Sequence, residues 1–238
     1  MTIRPLTELT EFGQCVELQR DSFGMADIDL LPRRFFVVLN SIGGLVLGAL
    51  DGNKVIGFLN SMPAVRDGDP YWYSQVMAVD KDYWNSGIAM QLKFAQRDHA
   101  RQRGIQRIEW TFDPRESKNA YFNLEKLGAI VRRYYVNYYG DISSILHSGL
   151  DSDRVVAEWW IQQPHVKPSG DVRRVFIPND IQSLKKQSLN SAKDVQTRVR
   201  EQFLKNLQDD YFAAGFERTD EWSAYLFMPG ASRVYKTD

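Results

Sequence analysis

A short segment, residues 85–89, carries the residue types that suit an anion at the start of a helix. Its sequence is Asn-Ser-Gly-Ile-Ala, between a β-rich run and a stretch with helical spacing of apolar residues. The first N–H groups of a helix lack intrahelical partners, and the helix dipole adds positive potential there. Gly87 allows close approach of a phosphate to the backbone, and Ala89 keeps the next turn thin. These residues predict a phosphate site, although an ordinary strand-to-helix turn is the simpler alternative for the segment on its own.

A phosphate site of this kind requires a strand before the loop and a helix after it. Alternation, helical spacing and turn residues predict both kinds of element along the first 140 residues. In chain order these are strand 2–6, helices 8–23 and 31–41, strands 45–51, 54–60 and 72–80, helix 86–103, strand 105–113, helix 116–128 and strand 129–140.

The chain changes character after about residue 149. A strand at 154–162 precedes the turn-prone stretch 164–170, and strand 173–178, a long helix from about 194 and strand 223–229 follow. The sequence therefore predicts two parts: a core over residues 1–149 and an extension over residues 150–238. We expect the extension to pack on the core, because it offers few elements for an independent core.

Composition excludes several classes of protein. The 238 residues are 43% hydrophobic and 25% charged, with 30 basic and 30 acidic side chains, which is globular and argues against a nucleic-acid binder. The single Cys15 excludes an internal disulfide, and His99, His147 and His165 are too scattered to predict a metal cluster. No apolar run approaches membrane-spanning length, and the N-terminus lacks the apolar core of a signal peptide. We therefore expect a cytoplasmic protein without metal, nucleic-acid or membrane partners.

Three motifs together resemble the GNAT N-acetyltransferase superfamily. Residues 84–89 align with its acyl-CoA motif Arg/Gln-x-x-Gly-x-Gly/Ala, residues 77–80 resemble the strand that precedes it, and Glu125–Gly128 resembles the end of its next helix. The order of strands and helices also matches, so the resemblance covers about residues 2–145. It is closest to a subset of uncharacterised predicted acetyltransferases. The resemblance implies an α/β (α+β) fold with a mixed, mostly antiparallel central sheet flanked by helices, here with a C-terminal α/β extension.

The resemblance also implies a function and a set of site residues. The function would be acyl-CoA-dependent N-acyl transfer, EC 2.3.1 type, with acetyl-CoA or another acyl-CoA as co-substrate and a small-molecule amine, such as an amino acid, as acceptor. A homodimer is compatible with this. The residues implied to bind the co-substrate are Met77, Ala78, Val79, Trp84, Asn85, Ser86, Gly87, Ile88, Ala89 and Asn119.

Two departures from the family pattern concern binding and catalysis. Trp84 stands where the family usually has Arg or Gln, so one polar side chain at the pyrophosphate is lost. Leu124 stands where many members have the tyrosine that protonates the departing thiolate, and Tyr121 or Asn123 is the substitute.

The sequence also leaves open which group would deprotonate the amine. On the strand 72–80, period-two alternation places Tyr73, Gln75, Met77 and Val79 on one face, and neither of the first two is a good base near neutral pH. Gln75 is the candidate on this strand, and water, Glu109, Asp113 or Glu17 remain as alternatives.

Two other classes of function compete with this reading. The missing tyrosine and the missing strand base favour a non-catalytic acyl-CoA-binding or regulatory module. A protein-lysine acetyltransferase would need an acidic groove for its substrate, and the sequence indicates none.

Overall fold

The structure is a computed structural model that describes residues 1–140 and 149–230. It forms two compact units, and the boundary between them follows Glu109, inside the sixth strand. His147 and the last part of the predicted family region, residues 141–145, lie outside the described residues. The division at residue 149, which separates a family core from an extension, stays a prediction.

Unit 1 holds residues 1–109. Its elements are β1 (Thr2–Pro5), α1 (Leu9–Phe23), α2 (Arg33–Ser41), β2 (Leu45–Asp51), β3 (Lys54–Arg66), β4 (Asp69–Tyr73), β5 (Met77–Val79), α3 (Ile88–Gln102) and the first half of β6 (Arg107–Phe112). The strand order is β1-β2-β3-β4-β6, and β5 also pairs with β3. Only the β4–β6 pair is parallel among these pairs.

Aromatic side chains join the helices to the sheet in unit 1. The ring of Phe36 on α2 lies 5.7 Å from Phe12 of α1 and 5.8 Å from Phe58 of β3. All three rings are almost completely buried. This cluster fixes α1 and α2 on the sheet, because burial of each ring removes a large apolar area from water.

The prediction of one continuous strand over 72–80 is wrong, because a β-bulge divides it. Tyr73 pairs with Met62 of β3, whereas Met77 pairs with Leu59. Four residue steps on one strand therefore oppose three on the other, which leaves one extra residue. The side chain of Asn60 compensates for part of the lost ladder, since its Oδ1 accepts the Val76 N–H at 2.9 Å. Period-two alternation does not continue through the bulge, so the predicted shared face from Tyr73 to Val79 does not hold.

Unit 2 holds the remaining described residues. Its elements are the second half of β6, α4 (Ser117–Tyr121) with a π-helical turn (Phe122–Lys126), β7 (Ile130–Tyr135), β8 (Arg154–Trp160), β9 (Arg173–Ile177), α5 (Ile181–Gln187), α6 (Leu189–Gln208), β10 (Tyr211–Arg218) and β11 (Ser223–Pro229). The strand order is β6-β8-β7-β10-β11-β9. The β7–β8, β7–β10, β10–β11 and β9–β11 pairs are antiparallel.

Strands from the predicted extension flank β7. As expected from sequence, the strand that contains Trp159 and Trp160 joins β7 in one sheet. Helix α6 covers this sheet through Phe203, whose ring lies 4.8 Å from Tyr225 and 5.5 Å from Tyr134. Its buried positions are Ala192, Gln196, Val199, Phe203 and Asn206. These positions alternate in steps of four and three residues, the spacing of one face of an α-helix.

The two units share the predicted class of architecture. Helices flank mixed, mostly antiparallel strands, which confirms the predicted fold class. Within residues 1–140 and 149–230, the helices are all too short or too polar to cross a membrane.

Candidate functional site

The predicted phosphate loop is an exposed turn at the start of α3. Asn85 and Gly87 both adopt positive φ, 62° and 85°. Gly87 is the N-cap residue of α3, and its carbonyl accepts the first helical bond from Gln91 N–H at 3.1 Å. No side chain of the described residues caps this helix, whereas Ser188 caps α6. The first turn of α3 therefore presents N–H groups and positive potential to an anion.

Space above Gly87 is open to a ligand. A Cβ placed there would meet only the Gln91 amide nitrogen, at 3.9 Å, within 4 Å. Asn85 and Ser86 are exposed beside it, while Ile88 is buried and anchors the helix start in the core. Of the predicted loop residues, Ile88 can therefore contribute only its backbone to a ligand.

The side chain of Trp84 does not offer its N–H to a phosphate in place of the family's Arg or Gln. Its indole N–H donates to the carbonyl oxygen of Val79 at 2.9 Å, and the residue stays 57% exposed. The Ser22 hydroxyl lies 3.4 Å from the same oxygen. Trp84 thus ties the phosphate loop back to β5 and holds an indole face in solvent next to Asn85.

Strand β5 has an open edge beside this loop. Val76 and Asp80 bond through their backbones to β3, at 3.1 and 2.8 Å. In an antiparallel pair the bonded residues alternate, so Ala78 also faces β3. The backbone groups of Met77 and Val79 therefore point to the opposite edge, which pairs with no strand of the described chain. Ala78, predicted to bind the co-substrate, is buried and turned toward β3, so Met77 and Val79 form the edge.

Gln75 lies in the bulge that precedes this edge. It is exposed, and its Oε1 lies 3.4 Å from the Asn60 side-chain nitrogen. A carboxamide cannot take up a proton near neutral pH, but it can hold a water molecule or an amine by hydrogen bonds.

The carboxylates considered as alternative bases are engaged in ion pairs. Glu109 is fully buried, with Arg66 at 2.6 Å and Arg107 at 3.0 Å from its oxygens. Arg20 pairs with Glu17 on the surface of α1. Both carboxylates therefore already have arginine partners.

In unit 2, Asp113 is engaged in the same way. Arg115 Nε and Nη2 donate to its two oxygens at 2.8 and 2.7 Å. Burial would raise the pKa of Asp113, but the hydrogen bonds and charge of Arg115 hold that pKa below its usual range. Asp113 therefore stays ionised and paired near neutral pH.

The helix predicted over 116–128 changes geometry in its middle. Residues 117–121 are α-helical, and residues 122–126 form a π turn in which Leu127 N–H donates to Phe122 O at 3.1 Å. Leu124 is completely buried, so it belongs to the core. π turns occur often at functional sites, where they re-aim side chains.

The three polar candidates on this helix differ in accessibility. Asn123 is buried, and its Oδ1 accepts the Trp110 indole N–H at 3.3 Å. Tyr121 is half-buried, with the Lys126 ammonium 5.4 Å from its ring centroid. Asn119 is exposed. The structure thus leaves Tyr121 and Asn119 accessible to a ligand and commits Asn123 to a structural bond.

The predicted residues fall into two groups, one in each unit. Unit 1 brings together the loop 85–89, Trp84, Gln75 and the edge of Met77 and Val79, and unit 2 brings together Asn119, Tyr121 and Asn123. In the described ranges, 1–140 and 149–230, histidine, cysteine and carboxylate side chains form no cluster of three that could hold a metal ion.

Helix α3 buries a pair of polar side chains that its sequence pattern does not predict. The apolar pattern places Ala95 and His99 on the inner stripe, but Lys93 and Gln96 are the buried residues. The sequence signal that points to it is a lysine between two large apolar residues, Leu92 and Phe94.

Comparison with known proteins supports this description. Residues 12–129 match the model of the acetyltransferase (GNAT) family. No curated protein matches the chain.

Several solved structures share the fold. An aminoglycoside 6'-acetyltransferase type Ii has a TM-score of 0.54 at 16% identity, with 70% of this chain and 100% of that chain covered. A ribosomal-protein alanine N-acetyltransferase from Escherichia coli has a TM-score of 0.53 at 16% identity, covering 71% and 99%. The NatC complex bound to Gag peptide and CoA has a TM-score of 0.51 at 18% identity, covering 66% and 96%. At these identities the similarity concerns the fold alone.

Proposed function

Because residues 12–129 place this chain in the GNAT acetyltransferase family, we propose that it transfers an acyl group, most simply acetyl, from acyl-CoA to the amine of a small molecule. The observation that carries the proposal is the exposed loop at the uncapped start of α3, next to the open edge of β5. A phosphate-bearing ligand with an extended, amide-containing arm suits both features.

The loop and the edge suit different parts of acyl-CoA. The pyrophosphate would lie against the backbone N–H groups of residues 87–89, where Gly87 has no side chain to obstruct it. The pantetheine amides would bond to the backbone of Met77 and to the Val79 N–H, much as an additional strand would, since the Val79 carbonyl already accepts from Trp84. Trp84 would border the phosphates with its exposed indole face, and Asn119 would bond the pantetheine, as the resemblance implies.

Catalysis would rest on positioning and on a proton donor. The acceptor amine attacks the thioester carbonyl carbon in its neutral form, the C–S bond breaks, and the thiolate takes up a proton. We assign the proton donor to Tyr121, because Leu124 is core and the Asn123 amide is bonded to Trp110. Gln75 would hold the water that accepts the amine proton, since the nearby carboxylate of Glu109 is paired with arginines. Positioning alone contributes several kcal/mol to such a reaction.

The proposed acceptor is a small amine, for example an amino acid. The named structural neighbours include enzymes for an aminoglycoside and for a protein alanine, so the fold accommodates acceptors of different size. A cytoplasmic location and the absence of nucleic-acid, membrane and metal partners stay predictions from the sequence.

A non-catalytic acyl-CoA-binding module is the second candidate. The buried Leu124 favours it, because leucine stands at the position of the family's usual tyrosine and cannot donate a proton. Both candidates share the binding site and differ in turnover.

Two measurements test these candidates in order. First, thermal unfolding and calorimetry with acetyl-, succinyl- and longer acyl-CoA should show binding, with about 2.7 kcal/mol of stabilisation at a ligand concentration a hundred times its dissociation constant. Free CoA should also bind, because phosphates and pantetheine make most contacts. Second, release of free thiol should be followed with a panel of amines. Absence of binding by every acyl-CoA would overturn the proposal, and binding without turnover would establish the module instead.

A further inference from the structure

Unit 1 contains a buried polar bridge between α3 and the bulged strands. Lys93 is 2% exposed and Gln96 is 0% exposed, one turn apart on the inner face of α3. The Lys93 ammonium donates to Ser74 Oγ at 3.1 Å and to Gln96 Oε1 at 3.2 Å, and Gln96 Nε2 donates to Ser61 Oγ at 2.7 Å. All four side chains are buried, so the bonds are shielded from water.

The two serines lie on opposite sides of the bulge. Ser74 follows β4 on the bulged strand, and its backbone N–H donates to Glu109 O of β6 at 2.7 Å. Ser61 lies on β3, in the segment that opposes the extra residue. The bridge therefore fixes α3 to both strands at the point where β5 parts from β4.

We propose that Lys93 is a positioning residue, which holds the bulge and with it the open β5 edge in register with the helix terminus at Gly87. This inference rests on the proposed function, which assigns α3 and β5 to two parts of one ligand. α3 begins at the phosphate loop, and β5 offers Met77 and Val79 to the pantetheine. A rigid link between α3 and β5 sets where the thioester lies. Displacement of the thioester by about 1 Å can lower the rate of acyl transfer about a hundredfold.

The chemistry of the bridge supports such a role. An ammonium buried without solvent is costly, so an apolar side chain would pack there more cheaply. Burial lowers the pKa of Lys93 to about 7. A long amine that reaches Ser74 across the bulge supplies what an apolar side chain cannot, namely a directional bond to the strand.

Two variants test the proposal without relying on one mutant. Lys93→Met keeps the length of the side chain and removes the donor, and Ser74→Ala removes the acceptor while α3 stays intact. Arg101→Met is the matched control, because it removes a cation from an exposed position on the same helix. Hydrogen exchange of the Val76 and Asp80 amides, which donate to β3 on either side of β5, is measured without ligand. Affinities are then measured for CoA and for its phosphoadenosine diphosphate part, which lacks the pantetheine arm.

We expect both test variants to exchange the Val76 and Asp80 amides at least tenfold faster and to bind CoA about tenfold more weakly, the effect of losing about one buried hydrogen bond. Affinity for the phosphoadenosine part should change less than twofold, and Arg101→Met should change none of these values. Unchanged exchange in both variants, or equal loss of both ligands, would overturn the positioning role. If Lys93→Met fails to fold, the exchange rates and affinities of Ser74→Ala alone decide whether the bridge has a positioning role. If the parent protein binds no CoA, the proposed function fails, and the exchange rates still decide whether Lys93 holds the β5 edge.

Discussion

Substitutions at Gly87 separate the geometry of the phosphate loop from its charge. Gly87 has φ of 85°, and a Cβ there would find open space except for the Gln91 amide at 3.9 Å. Replacement by Ala, Gln or Glu should therefore cost only the backbone strain of a left-handed residue, about 1 kcal/mol in each case. The three variants should fold and should share one reduced melting temperature.

The size of the charge effect follows from Coulomb's law. We take a Glu carboxylate about 5 Å from a bound phosphate, at an effective dielectric constant between about 20 and 80. The repulsion for one charge pair is then about 1–3 kcal/mol. Gly87→Glu should therefore bind CoA about five- to hundredfold more weakly than Gly87→Gln, which has the same length and no charge. Gly87→Gln should lie between Gly87→Ala and Gly87→Glu, because its side chain obstructs the phosphate without repelling it.

Calorimetric titration with CoA at low and high salt is the assay. The difference between Glu and Gln should shrink as salt rises, since ions screen exposed charges. Equal affinity of the Glu and Gln variants at low salt would show that the phosphate binds away from residue 87, and the loop assignment would then be wrong.

Three further predictions concern the core, the proton donor and the extension. Burial lowers the pKa of Lys93 from 10.5 to about 7, so between these values the unfolded chain binds more protons, and the free energy of unfolding should rise with pH by up to about 1.4 kcal/mol per unit. Urea unfolding from pH 7 to 9 should show this rise in the parent and not in Lys93→Met, and parallel profiles would contradict it. Tyr121→Phe should lower kcat about a hundredfold with CoA affinity unchanged, whereas Asn123→Ala should mainly lower the melting temperature; an unchanged kcat in Tyr121→Phe would remove its assignment. A chain ending at residue 165 lacks β9–β11, α5 and α6, and so loses the β10 partner of β7; it should aggregate, and a soluble, cooperatively unfolding fragment would refute a packed extension.

Local signals predicted the turn at residues 85–89 and the helix start after it, while phosphate binding there stays a proposal. The local sequence determines this conformation, since Gly87 tolerates positive φ and the apolar spacing after Gly87 is typical of a helix. Each of these needs only neighbours within a few residues. The fold class was predicted from the family resemblance of three motifs, with which the order of strands and helices agreed.

The bulge depends on contacts that sequence spacing does not show. The run from Trp72 to Asp80 contains no glycine or proline, so no turn residue within it marks a break. What separates β4 from β5 is the register of β3 and the side chain of Asn60, 16 residues from its partner Val76. The buried Lys93 is hidden for the same reason, since its acceptor Ser74 lies 19 residues away on a strand.

The π turn shows why a family pattern cannot be transferred by counting. Counting four residues back from Gly128 reaches Leu124, but that count passes through the π turn, where each turn takes up more residues than in an α-helix. Side chains after Tyr121 are therefore rotated relative to those of a regular α-helix, and Leu124 points into the core. Tyr121 precedes the turn and keeps α-helical geometry. Leu124 therefore cannot supply the proton, and the accessible Tyr121, on the N-terminal side of the turn, is the donor that we propose.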